Sequence, residues 1–311
     1  MNIVITGGSG FVGSYLCEKL INDGHEIIVV DNLLTGSTEN INHLMQNENF
    51  SFIEHDVQNH IEIENKVDYV LHFASAASPK AYTEHPVNTL KAGSVGTINT
   101  LGLAKKHDAE YLLASTSEVY GDPLISPQTE EYWGNVNPNG ERSMYDEAKR
   151  FAEAAVATYS RSYDLKTKIV RIFNTYGPRM QLNDGRVVTN FIVQALKNEN
   201  ITIYGDGSQT RSFSYVEDTV AGIISLMNSS EYDVFNIGNP NEMTVGQLAE
   251  KIIELTDSTS EIKYLELPND DPKQRKPDIT KAKTKLNWEP KVNLEDGLTK
   301  TIKWVEGQLS K

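Results

Sequence analysis

The chain opens on Gly7-Gly8-Ser9-Gly10-Phe11-Val12-Gly13, set between a short β-branched run at 2–6 and helical apolar spacing over 11–23. Glycines after a strand let the backbone turn tightly and approach a pyrophosphate. The helix that follows offers unpaired N–H groups and the positive end of its dipole. A strand–turn–helix of this kind points to a doubly wound α/β domain that binds a dinucleotide; a plain tight turn is the competing reading. The next strand-like run, 26–30, leads into Asp31, 18 residues after Gly13. A carboxylate there accepts hydrogen bonds from ribose hydroxyls and repels a 2′-phosphate. The first arginine of the chain is Arg142, so NAD is favoured over NADP. Asp56 is placed to meet the adenine edge, with a loop cap as its alternative.

The rhythm continues. Strand-like runs at 51–55, 69–73, 111–115 and 168–172 alternate with helical stretches, including about 86–107 and 146–163. Strands apolar on both faces, alternating with helices, predict a parallel sheet covered on both sides. Beyond about 173 the strand signals shorten, and loops rich in Gly, Pro, Asn and Asp appear at 174–185, 205–211, 238–241 and 267–278. The expected organisation is a Rossmann-type NAD-binding domain, 1–173 plus about 213–237. A smaller C-terminal substrate-binding domain, 174–212 plus about 238–311, completes it.

Composition narrows the function. The net charge is −14 without a basic cluster, which speaks against nucleic acid as a partner. No apolar run approaches the ~18 residues of a membrane span, and the start MNIVITGGSG reads as a strand, not a signal peptide. One cysteine, Cys17, excludes an internal disulfide and suits a reducing, cytoplasmic setting; it is expected to be packed. The seven histidines show no paired ligand spacing, and Glu54-His55-Asp56 alternate along a strand, so no metal is expected.

Tyr145 and Lys149 stand four residues apart, on one face of a helix. A tyrosine hydroxyl ordinarily titrates near ~10, and a neighbouring ammonium and an oxidised nicotinamide lower it. It can then take the proton of a sugar hydroxyl while hydride leaves the carbon. Ser115-Thr116-Ser117-Glu118 follows a central strand, at the end where open α/β sheets bind ligands. Thr116 can hydrogen-bond the reacting oxygen, and Ser117 and Glu118 can handle protons or order water; capping is the competing reading for Ser117. Of eight arginines, Arg179, Arg211 and Arg275 lie in loop-like contexts. Guanidinium matches diphosphate and carboxylate.

GGSGFVG, STSEVYG and YDEAK together resemble an extended short-chain dehydrogenase/reductase. EYWGNVNP (131–138), RIFNTYGPRM (171–180), NDGRVVTNFIVQAL (183–196), YGDGSQTRSF (204–213) and RKPDITKA (275–282) resemble the UDP-glucuronate decarboxylase family, over essentially the whole chain. Thr116-Ser117-Glu118 is similar to the decarboxylase pattern. Nucleotide-sugar 4,6-dehydratases usually carry Thr-Asp-Glu there, and 4-epimerases a small residue in place of the glutamate; these two activities are the alternative. The resemblance implies redox-neutral conversion of UDP-glucuronate to UDP-xylose through a 4-ketone. Tyr145 acts as base, Lys149 supports it, and Thr116, Ser117, Glu118 and Arg275 serve the later steps. It places NAD against Gly7, Gly10, Phe11, Val12, Gly13, Asp31, Asn32, Asp56, Val57, Ala74, Tyr145 and Lys149. It places the UDP-sugar against Lys91, Glu118, Asn174, Arg179, Arg186, Tyr204, Arg211 and Arg275.

There are departures from the family pattern. Gly93, within Thr89-Leu90-Lys91-Ala92-Gly93-Ser94, stands where an asparagine often supports the active-site helix. Ala148 stands where glycine is common, and 72–79 lacks the usual Cys-Pro. These bear on the sugar, not on the hydride chemistry. Apolar stripes at about 90–104 and 148–159 exceed what one sheet face needs. The resemblance turns them into a four-helix homodimer interface built from helices at about 87–106 and 146–163.

Overall fold

The computed structural model describes residues 1–266 and 274–310; of the loop expected at 267–278, residues 267–273 lie outside the described residues. The chain begins β1 (Asn2–Thr6), α1 (Phe11–Asn22), β2 (Glu26–Asp31), β3 (Phe50–Glu54) and β4 (Tyr69–His72). It continues through α2 (Pro79–Glu84), α3 (Pro86–Lys91), α4 (Thr97–His107), β5 (Glu110–Thr116), α5 (Ser143–Tyr163) and β6 (Thr167–Ile172). After β7 (Thr175–Tyr176), α6 (Val187–Leu196), β8 (Ile201–Tyr204), β9 (Thr210–Ser212), β10 (Ser214–Tyr215) and α7 (Val216–Asn228), the chain returns as β11 (Val234–Ile237). Then follow β12 (Glu242–Thr244), α8 (Val245–Thr256), β13 (Ile262–Leu265), β14 (Gln274–Arg275), α9 (Thr280–Leu286) and α10 (Leu294–Leu309).

Seven of these strands form one all-parallel sheet in the order β11-β6-β5-β4-β1-β2-β3. The alternation of its apolar residues explains why both faces are covered. Ile3 and Ile5 of β1 belong to the core cluster that includes Leu16 and Leu20 of α1 and Val220 and Ile223 of α7. Val4, between them, belongs to the cluster that includes Leu101 of α4 and Val156 of α5. Each such side chain contributes roughly 1.5–3 kcal/mol on burial, so the first strand alone ties the two helical layers together. Among the described residues no helix is long and apolar enough to cross a membrane.

The chain runs outward from β1 to β2 and β3, then restarts on the other side of β1 with β4. That switch point opens a crevice beyond the carboxyl ends of the strands, where ligands bind in this architecture. Of the elements after β6, β11 and α7 join the main sheet and its core, while β8, β9 and β14 carry residues that border the crevice. β12, β9 and β14 make a three-stranded sheet, β8 pairs with β13, and β7 pairs with β10.

The single helix expected at about 86–107 is instead two helices joined by a π-helical turn, Ala92–Gly96. Threonine hydroxyls accompany the widening: Thr97 Oγ1 donates to the Gly93 carbonyl and Thr100 Oγ1 to that of Gly96, each at 2.9 Å. Apolar periodicity is blind to a one-residue bulge, which is why the sequence reads as continuous.

Candidate active site

The crevice is a cleft of about 830 Å³, and Gly7 and Gly13 in its wall leave no room for a side chain. Gly7 has φ +74°, and a Cβ there would lie 2.7 Å from the Ala74 nitrogen. A Cβ on Gly13 would lie 2.2 Å from the Gly7 carbonyl oxygen. α1 starts at Gly10 with no side-chain cap and no acidic residue in its first turn, so its N–H groups are left for an anion. Asp31 at the end of β2 is buried and accepts from the Ser9 and Leu33 N–H groups at 3.1 and 2.9 Å. Those bonds take two of the roughly four acceptor positions of a carboxylate. Asn32 Nδ2 donates to Asp56 at 3.1 Å, and Phe11, Val12, Val57 and Ala74 border the same half of the cleft. These residues fit a dinucleotide. Gly13→Ala is expected to weaken NAD binding at least about tenfold, read by calorimetric titration; unchanged affinity contradicts the cradle.

At the other end β5 stops at Thr116, opposite the first turn of α5. Tyr145 sits in that turn, buried, its ring stacked on Tyr82 with centroids 5.3 Å apart. Burial pushes its hydroxyl well above the ordinary value, while a hydrogen bond with Thr116 pulls it down. The helix N-terminus also favours a phenolate. Lys149, one turn on, donates from Nζ to the Ala114 carbonyl at 2.8 Å, with Nζ 5.9 Å from the centre of the Tyr145 ring. Burial pushes the ammonium down to about 8, against the pull of Glu153.

Two residues past the strand a charged cluster begins. Glu118 pairs with Arg142 and, at 3.2 Å, with Arg275, and Ser117 Oγ donates to it at 3.4 Å. Burial works to raise the Glu118 carboxyl, but Arg275, Arg142 and Arg211 outweigh it and hold the group below the ordinary range. Arg275 is 2% exposed; its guanidinium also donates to the Ser117 carbonyl and, at 3.0 Å, to that of Gly121. Arg211 and Arg275 stand on one rung of the adjacent parallel strands β9 and β14, not in the loops that their flanking residues suggested.

Asn174, Arg179, Arg186, Tyr204 and Arg211 all border the cleft. Arg179 pairs with Glu18 at 2.6 Å over the Tyr15 ring, and Arg186 lies 3.4 Å from Asp184. Lys91 is the exception: it is exposed at the end of α3 and does not line the cleft. Asn88, Thr89 and Ala92 do, because helical spacing turns those positions inward and 91 outward. Arg142, Tyr82 and Asp146 were not singled out from the sequence. For Arg142 the signal was its position three residues before Tyr145, at the N-terminus of the same helix; Tyr82 and Asp146 carried none. Asp146 is buried, its Oδ1 has no hydrogen-bond partner among the described residues, and burial together with Glu118 pushes it up to about 7.

Two of the departures from the family pattern meet in space. A Cβ on Gly93, in the π-turn, would lie 2.7 Å from the Ala148 Cβ on α5. The methyl at 148 is accommodated because 93 carries none. Gly93→Ala is expected to destabilise the protein, and Ala148→Gly in the same chain to recover about 0.5–3 kcal/mol of that loss. Additive single effects in thermal unfolding contradict the pairing.

A glycine cradle at a switch point and a Tyr–Lys pair facing a strand-end threonine are the layout of an extended short-chain dehydrogenase/reductase. The GDP-mannose 4,6 dehydratase family profile matches residues 4–301. The UDP-glucose 4-epimerase of Thermotoga maritima, solved with UDP-glucose, superposes with a TM-score of 0.92 at 34% identity, covering 99% of this chain and all of that one. A UDP-glucuronic acid 4-epimerase from Bacillus cereus, in complex with UDP-glucuronic acid and NAD, superposes with a TM-score of 0.89 at 26% identity, again over 99% and 100%. UDP-glucuronic acid decarboxylase 1 of Xenopus tropicalis is 53% identical over 99% of this chain and 72% of its own length. UDP-glucuronic acid decarboxylase 3 of Arabidopsis thaliana is 54% identical over 96% and 87%. The chain belongs to the UDP-glucuronic acid decarboxylase family.

Proposed function

We propose that this chain converts UDP-glucuronate to UDP-xylose and CO₂. The observation that carries the reading is Thr116-Ser117-Glu118 at the end of β5, with Glu118 clamped by Arg142 and Arg275 in the cleft that holds Tyr145. NAD held in the cleft by the glycine turn and Asp31 would supply the hydride chemistry at C4 of the sugar. Tyr145 takes the C4 hydroxyl proton as that hydride leaves, and the Lys149 ammonium stabilises the phenolate. The C4 ketone lies β to the C6 carboxylate, so the C5–C6 bond breaks with its electron pair flowing toward the ketone oxygen. Tyr145, now protonated, and the Thr116 hydroxyl hydrogen-bond the resulting enolate. An ionised Glu118 holds a donor rather than being one. It orders a water, or the Ser117 hydroxyl, that delivers the proton to C5. Tyr145 returns its proton when C4 is reduced, and the cycle closes with one proton consumed and one CO₂ released.

Residues 1–173 plus about 213–237 serve NAD in this reading, and 174–212 plus about 238–311 serve the nucleotide sugar. Arg211 and Arg275 face the diphosphate or the uronate, and Asn174 and Arg186 line the nucleotide path. The enzyme works as a homodimer in the cytoplasm. Leu90, Val95, Ile98 and Phe151 are exposed on α3, the π-turn, α4 and α5, which pack together. Light scattering should give twice the chain mass, and a monomer at micromolar concentration contradicts the interface.

The function is tested by incubating the protein with UDP-glucuronate and substoichiometric NAD, following CO₂ and the sugar by NMR. More than one CO₂ per NAD, with UDP-xylose as product, is the expected result. UDP-galacturonate without CO₂ would identify a 4-epimerase instead.

A further inference from the structure

The strap that carries Arg275 is clipped from its far side by a residue that does not border the cleft. Gln128 is fully buried in the loop between β5 and α5. Its N–H donates to the Lys276 carbonyl and its carbonyl accepts from the Asp278 N–H, both at 2.8 Å. Its side-chain Oε1 accepts from the Lys276 N–H at 2.9 Å, and Nε2 donates to the Ile125 carbonyl at 2.7 Å. Asn236 of β11 closes the arrangement from below. Its Nδ2 donates to the Gln128 and Asp278 carbonyls at 3.0 and 3.1 Å, and its Oδ1 accepts from the Tyr120 hydroxyl at 2.8 Å. On the opposite edge β14 pairs with β9. Residues 274–278 are thus held along both edges, with Arg275 between them.

We propose that Gln128 is a positioning residue: it holds the 274–278 strap at the height from which the Arg275 guanidinium reaches Glu118. A fully buried amide is costly unless its donor and acceptor are used, and here each is spent on main chain. Arg275 Nε has no hydrogen-bond partner among the described residues. The placement of the guanidinium therefore depends on its terminal nitrogens and on the backbone that Gln128 grips. Displacements near ~1 Å outside the chemistry can cost on the order of a hundredfold in rate. The inference rests on the decarboxylase reading, in which Glu118 works as a carboxylate.

The groups facing Glu118 are Arg275 from β14, Arg142 just before α5, Tyr145 and Asp146 from α5, Arg211 from β9 and the adjacent Ser117 hydroxyl. Arg275 pulls both Glu118 and Asp146 toward their anions, so loosening it moves both carboxyls up in pH. The test is Gln128→Met in the full-length protein, a substitution of similar length without hydrogen-bonding groups. With UDP-glucuronate and NAD, kcat is expected to fall on the order of ten- to a hundredfold. The acid limb of kcat should move to higher pH, with NAD affinity unchanged. A folded variant with wild-type kcat overturns the proposal, and so does a lower kcat with an unmoved acid limb, which marks a merely structural role. If Gln128→Met does not fold, Asn236→Ser releases the same strap and must give the same signature. Wild-type protein that releases no CO₂ overturns the decarboxylase reading and this inference with it. An active wild type beside an unaltered Gln128→Met overturns only the positioning role.

Discussion

Tyr145→Phe is expected to bind NAD as the wild type does and to lose turnover by about two to four orders of magnitude. The ring remains, so the stack on Tyr82 and the packing of the α5 first turn survive. What is lost is the hydroxyl to which the proposed mechanism assigns the C4 proton. In the proposed reading the glycine turn and Asp31, at the opposite end of the cleft, hold most of the cofactor. Steady-state kinetics paired with a cofactor titration separate the two. A kcat near wild type assigns the proton to another group. Lost NAD binding would mean that the ring had moved and that the variant does not report on chemistry.

Arg275→Met is expected to damage stability and turnover together. It deletes a buried guanidinium that satisfies two main-chain carbonyls and half-neutralises Glu118. Removing one partner of a buried ion pair typically costs about 3–5 kcal/mol, because the other charge is left uncompensated. Arg142 remains on Glu118 and keeps the loss toward the lower end of that range. The pH dependence has a definite sign. Glu118 titrates below its ordinary value of 4.5 in the folded protein, so its contribution is present above that value and lost as pH falls through the folded pKa. The stability gap between wild type and Arg275→Met should therefore be widest near neutrality and narrow in acid. A gap that widens in acid contradicts the assignment of Glu118 as the anion. Turnover should fall on the order of a hundredfold or more.

Most of the main sheet was legible because its signals are local. Five-residue strand-like runs found every core strand through β6 to within a residue, and the return of the chain at 213–237 showed as β11 on the edge of the sheet. The glycine turn and the Tyr145–Lys149 spacing are likewise written in consecutive residues. The π-turn at Ala92–Gly96 was not legible, because a bulge shifts the phase of a helix without altering its composition. Lys91 was placed by the resemblance, whereas which face of α3 meets the cleft depends on packing. The pairing of Gly93 with Ala148 joins positions 55 apart in the sequence, and only the fold shows that they touch. Gln128 had no local signal. Its grip on Lys276 and Asp278 joins segments far apart in the sequence.

The central claim is that one hydride leaves C4 and returns to C4 around a decarboxylation. Substrate deuterated at C4 tests it most directly. UDP-glucuronate labelled there, with catalytic NAD, should give CO₂ and UDP-xylose that retains the label at C4, because the hydride is returned within the same closed site. Carbon dioxide released with the C4 label washed out, or a labelled substrate recovered with no CO₂ at all, would contradict the account.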